Sequence, residues 1–531
     1  MNVDFEIAKL KTKDDWGALA ELLGGPQSRV AQNIIRHLIT IRVSSYLLET
    51  RYIDRDYSAD YRSFYAQTFK TYDRHCKRIH FFAEDIAAIL ADPNWGKRVE
   101  ALQHTSRRSY RGFCVLRPLP GAPIGRTILH AESPMSGGME SVVNCRALWR
   151  ANLLGAELDV VGTTFMQQDS RVGACAQVAI WAGVRHMHRR YGYDWLSVAD
   201  ITRLASPTTP EEAASLPSGS DFLTSERMIR AISEMGFQPL CLEPPEIGGK
   251  ILPYVESGLP VILGLQHGTG LGHAVTVIGR VFASAKGPTN KAIDYVQAFI
   301  VHDDQAGPYM LVPMNSTVAQ QSQLDKNQFV RHPGRTNTVD LNVEDHAIFA
   351  VALMPVRAFS TAKEAELTAL RRIEAAIAKI SNVKTVLAKK RASTNDRLLT
   401  ELVDAYEHDK LVLRTYLTSA SGYRRHIALG TACNELKDVL LRLHLPHFSW
   451  ITEISTIDAY NHVSPGLRRM YGHSVIDATS TGKDVTGLLM LHLPGLIFVR
   501  NVDAAPDEQQ ESGIVIKNDA LYECREKRLD H

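Results

Sequence analysis

The chain has 531 residues, too many for one hydrophobic core, so several units are expected. It is 45% hydrophobic and 22% charged, which excludes disorder as its overall state. With 60 basic and 58 acidic residues the net charge is only +2, so nothing in the charge asks for nucleic acid or an acidic membrane surface as partner.

The seven cysteines are scattered and odd in number, and no C-x-x-C occurs. That pattern is neither a disulfide framework nor a zinc ribbon, and it favours a reducing compartment. Met1 to Glu6 lacks the basic-then-apolar pattern of a signal peptide, and apolar runs such as Ala347 to Met354 are too short to span a bilayer. The expected location is cytoplasmic, with no membrane contact.

In chain order, residues 1–135 are predicted to be a helical segment followed by a β hairpin. Val30, Ile34, Ile35, Leu38 and Ile39 recur at helical spacing. Tyr57, Tyr61, Phe64, Tyr65, Phe69 and Tyr72 are taken as a second, core-facing helical stretch. Gly112 to Pro118 and Gly125 to Leu129 form the hairpin around a Pro120–Pro123 turn.

Residues 136–357 make the next unit. A polar loop, Gln167 to Gly173, runs into Ala174-Cys175-Ala176 and an apolar helix containing Val178, Ile180, Trp181 and Val184. A helix N-terminus favours an anion, and a thiolate is one. The bland alternative is a cysteine packed as a small hydrophobe. Ser197 and Thr224 each cap a further helix, and 205–222 is loop in composition. Strand signals then dominate: 239–242, 260–265, 273–278, 296–301, 309–312 and 348–354. Helices followed by a mainly antiparallel sheet give an α+β class.

Within that sheet, Gly270-Leu271-Gly272-His273 opens a β-branched strand. A nucleotide-binding glycine loop is rejected, because a strand rather than a helix follows. Ala298 to Asp304 is an apolar strand ending in two carboxylates before Gly307. Asp303 and Asp304 suit a turn, and His273 suits a core. The functional alternative is a base on one strand, oriented by an acid at the end of the next, serving a nucleophile on a helix.

Residues 358–445 return to helix, with Leu370, Ile373, Ile377, Ile380, Val383 and Val386 as one apolar stripe; 446–531 is β-rich. The part 360–443 is expected to be a helical insertion that regulates access or binds a protein partner.

Gly272-His273-Ala274-Val275-Thr276-Val277-Ile278-Gly279, Asp303…Gly307 and the order cysteine, histidine, aspartate resemble papain-fold cysteine peptidases. The resemblance is to their compact bacterial branch, which includes bacteriocin leader-processing peptidases, and it covers about residues 160–355. It implies a papain-like core with Cys175 as nucleophile, His273 as base and Asp303 as orienting acid, and no cofactor or metal. The family carries an oxyanion-donating Gln six residues before the cysteine; here that position is Asp169, and a loop longer by one residue assigns the role to Gln168 rather than Gln167.

The function expected is a thiol hydrolase that cleaves a peptide or isopeptide bond. Acyl transfer or deamidation by the same triad is the alternative within enzymes. An inert papain-like interaction protein is the alternative outside them. A zinc site drawn from Cys175, His267 and His273 is a third reading, weakened by the absence of close-set Cys/His pairs.

Overall fold

The structure is a computed structural model. It describes residues 5–131, 138–169, 174–206, 223–268, 272–285, 287–333, 338–387, 393–462, 467–481, 487–501 and 511–525. Helices make up 37% and strands 33%, and nearly every strand pairing is antiparallel, so the class is α+β. The predicted loops at 207–222 and 269–271 lie outside the described residues. Among the described residues no helix is long and apolar enough to cross a membrane.

Three sheets carry the architecture. The N-terminal sheet orders Phe5–Lys9, Ser45–Tyr52, Cys76–Phe82, Tyr110–Leu116, Ile124–Leu129 and Thr164–Phe165. The predicted helical segment is therefore corrected: strands Ser45–Tyr52 and Cys76–Phe82 separate its helices. Tyr46-Leu47-Leu48 is too short a run for periodicity to distinguish helix from strand, and pairing with the neighbouring strand decides it. Tyr57 and Tyr65 are fully buried, as a core reading requires, but Phe69 is fully exposed.

The central sheet orders Phe237–Leu242, Ala347–Pro355, Val261–Leu265, His273–Ala283, Val296–Asp303 and Gly307–Pro313. Helices cover both of its faces. Cys175–Tyr191 packs on one, where the Thr276 hydroxyl donates to the Ala179 carbonyl at 2.8 Å. Gly183 permits this approach, since a Cβ there would lie 2.8 Å from Leu353. Ile247–Ser257 packs on the other face, where Glu256 pairs with Arg280.

The C-terminal sheet begins with Leu411–Ser419, paired along its length with Phe448–Thr456. The predicted boundary at 445 cuts this pair, so the helical insertion and the β-rich end are corrected to one interleaved unit. Helix Ala362–Leu387 packs on this sheet chiefly through Ala365, Ala369, Ile373 and Ile377, leaving Leu370 exposed. Arg414 of the first strand joins Glu256 and Glu453 in a buried network that ties this sheet to the central one. Ser257 adds a bond, donated to its hydroxyl by Leu417 N–H at 2.7 Å.

Candidate active site

Cys175 is the first residue of its helix, and the cap residue Ala174 offers no side chain to the first-turn N–H groups. Those donors and the positive end of the helix dipole sit beside the sulfur. The helix is held firmly. Residues 175–187 are all buried, Trp181 Nε1 donates to Asp56 at 3.1 Å, Arg185 pairs with the same carboxylate, and His186 Nε2 meets the Gly258 carbonyl at 3.1 Å.

His273 opens its strand at 8% exposure, and Cys175 lies at 7%. The Cys175 side chain lies close enough to His273 to favour the charged imidazole. His273 Nε2 is 3.0 Å from Asp303 Oδ1, which leaves Nδ1 as the nitrogen available to the thiol. Asp303 also accepts the N–H groups of Gln305 at 2.9 Å and Ala306 at 3.1 Å, so its carboxylate is fixed. Burial opposes a charged imidazole, but the Asp303 carboxylate and, after it, the nearby Cys175 prevail and raise the His273 pKa well above its ordinary value. Burial likewise opposes ionised Asp303, and the His273 charge overcomes it, lowering that pKa.

No protein-family model matches the chain. No curated protein matches it either.

Of the residues expected together from sequence, His273 and Asp303 are bonded, and Cys175 lies near His273. Strict alternation along these strands would turn His273, Val275, Val277, Val301 and Asp303 toward the cysteine helix; instead Thr276 is the residue bonded to that helix, and its cross-strand partner is His302. A register shift between Val301 and Asp303 breaks the alternation where the acid is presented.

The acid-bearing turn is held by the N-terminal helix Arg29–Thr40. Asn33 Nδ2 donates to the Ala306 carbonyl at 2.8 Å, and Arg29 adds favourable charge to Asp303. Gly307 sits at φ +137°, with Asn33 so close that a Cβ would be 3.0 Å from it. Sequence reasoning missed this support and missed Gln305, whose Nε2 lies 3.5 Å from His273 Nδ1. The only sequence signal for Gln305 was its place directly after the two carboxylates.

Gln167 and Gln168 behave differently. The Gln167 amide is engaged with the hairpin turn, to Ile124 N–H and to the Gly121 carbonyl, each at 3.4 Å. Gln168 N–H lies 3.4 Å from the Asp304 carbonyl, beside the site. Asp169, six residues before the cysteine, accepts from Tyr65 and lies 3.8 Å from Arg117, so it faces the N-terminal unit.

The cation-competent group among the described residues is His273, Asp303 and Asp304. His267 is not part of it; its ring lies 5.4 Å from that of His346. Asp304 is 4% exposed, and neither of its oxygens has a hydrogen-bond partner. Its nearest charge is His273 Nε2, 3.9 Å away. Burial pushes its pKa up to about 7, opposed by the pull of His273 and aided by the neighbouring Asp303.

A raised carboxyl pKa contributes stability below the ordinary value of 3.8, and that stability is lost as the pH rises through about 7. Asp304→Asn removes this dependence. Its melting temperature relative to wild type is expected to rise steadily between pH 4 and pH 8 (roughly the window set by those two values) in paired thermal scans. A difference independent of pH would mean Asp304 is ionised throughout.

Proposed function

We propose that the protein is a thiol hydrolase of papain-like design that cleaves a peptide or isopeptide bond. The reading rests on one observation: Cys175, at a helix start, lies close enough to a buried His273 to favour its charged form, and Asp303 holds that ring at Nε2.

In this mechanism the Cys175 proton passes to His273, and the thiolate sulfur attacks the scissile carbonyl carbon. The carbonyl π electrons move to oxygen, which the Cys175 N–H and the Gln168 amide stabilise. The tetrahedral intermediate collapses as the C–N bond breaks, and His273 protonates the leaving amine. Water then attacks the thioester, giving its proton to His273, and the thiolate leaves. Asp303 stabilises the imidazolium at each stage and keeps the ring oriented.

The test is hydrolysis of a fluorogenic peptide library by the full chain beside Cys175→Ala. Cleavage by the wild type alone supports the proposal. Equal release by both, or by neither, contradicts it and favours an inert core. Transfer of the acyl group to an added amine in preference to water would assign the same triad to acyl transfer.

The oxyanion role has its own expected outcome. Gln168→Ala should lower kcat/KM ~10²–10³-fold, the effect of losing one such donor. Gln167→Ala should leave kcat/KM nearly unchanged, because that amide is committed to the hairpin turn. Steady-state rates on one library hit check both.

A further inference from the structure

A groove of about 1350 Å³ includes neither Cys175 nor His273. It lies between the central sheet with its outer helix Ile247–Ser257 and the unit formed by Ala362–Leu387 and Leu411–Ser419. Two sheet edges reach it. The edge strand Phe237–Leu242 contains Pro239, and Pro244 and Pro245 follow, which blunts it against further pairing.

The other edge is open. Leu411–Ser419 pairs on one side only. Leu417 N–H points away from that partner, to Ser257, so the odd-numbered residues of the strand direct their backbone groups outward. Among the described residues, the outward groups of Leu411, Leu413 and Thr415 have no backbone or side-chain partner, and all three line the groove. Leu411 and Leu413 are half-buried, and Leu370 opposite is exposed.

The groove is also acidic. Glu246 is paired with Lys291, and Glu256 with Arg414. That leaves Glu344, Glu366, Glu374, Asp409 and Asp294 against Lys250 and Lys363. The Lys250 amine is committed to the Glu243 carbonyl.

We propose that this groove binds an extended peptide segment of another protein as an added strand on the open edge at Leu411–Thr415, selecting basic and apolar side chains in alternation. An extended chain offers a backbone donor and acceptor at every second residue toward the edge, and alternating side chains to its two faces. The lining supplies apolar contacts at Leu240, Leu252, Ile293 and Met314 and unneutralised carboxylates for the basic positions. The binding does not depend on thiol chemistry, so its failure and that of the proposed hydrolase can be told apart.

The test uses the full chain and a fluorescein-labelled decapeptide of alternating Val and Lys, read by fluorescence anisotropy. Two further versions carry N-methyl groups on the odd or on the even amides, and a third replaces Lys by Glu. The parent peptide should bind, one methylated version should bind about as well, and the other at least about tenfold more weakly, since it loses the donors that face the edge. The Glu version should not bind. Leu413→Pro, which removes an outward N–H without breaking a ladder bond, should reduce affinity at least about tenfold at unchanged melting temperature. Glu366→Gln with Glu374→Gln should weaken binding and flatten its salt dependence. Absence of binding by the parent peptide, equal binding of both methylated versions, or chain self-association through this edge would overturn the proposal. Should Leu413→Pro not fold, the methylated pair on wild type decides.

Discussion

Cys175→Ala is expected to abolish turnover, a loss of ~10⁴–10⁶-fold in kcat, with the fold intact. The sulfur supplies the attacking electron pair, and the alanine methyl has none to replace it. Alanine already flanks the position on both sides, so the packing change is small. His273→Ala should cost nearly as much, because members of a triad act as a unit. Asp303→Ala should cost less, ~10²–10⁴-fold, since the thiol and imidazole remain in contact.

The pH profile distinguishes this last variant from a merely structural lesion. Asp303 is the largest influence raising the His273 pKa against burial. With Asp303 in place, the imidazolium persists well above its ordinary 6.5, and its contribution to stability is lost only as the pH passes that higher value. Without Asp303 the loss of imidazolium moves to lower pH, and the alkaline limb of kcat/KM should move with it. An unchanged limb would mean that Asp304, at 3.9 Å, carries the role.

Glu256→Ala is expected to destabilise the whole chain by ~3–5 kcal/mol, the usual result of stripping one partner from a buried ion network. Glu256 is 6% exposed and faces both Arg280 of the central sheet and Arg414 of the C-terminal sheet. Removing it leaves Arg280 without a carboxylate and Arg414 with Glu453 alone. Burial opposes ionised Glu256, and the two guanidiniums overcome it, holding its pKa far below the ordinary 4.5. Its contribution is therefore complete above that ordinary value and is lost only as the pH falls below it. Chemical denaturation at neutral pH measures the difference. A change under about 1 kcal/mol would show that the two sheets do not rely on this network. The same contact predicts that residues 360–443 cannot be excised as a free insertion.

The central sheet was legible in the sequence because its strands are short apolar runs bounded by turn residues, as at Val261–Leu265 and Val296–Asp303. The pairing of His273 with Asp303 near Cys175 was legible because each of the three sits at an element boundary. The faces were not, since one register shift at Val301–Asp303 reverses an alternation argument. The N-terminal strands and the Leu411–Ser419 strand were missed for a different reason. Their pairing partners lie in segments read separately, and pairing rather than local propensity makes them strands. The support of the acid by Asn33 and Arg29 depends on contacts about 270 residues apart, beyond any pattern in a single sequence.

The central claim is that His273 activates Cys175 as a nucleophile. The most direct test treats the full chain at neutral pH with a peptide carrying a thiol-reactive acyloxymethyl ketone, then maps the modified residue by mass spectrometry. The account expects Cys175 to be labelled first among the seven cysteines, and its labelling to be lost in His273→Ala. Earlier labelling of Cys241 or Cys433, which are the more accessible thiols, or equal labelling of Cys175 without His273, would contradict it.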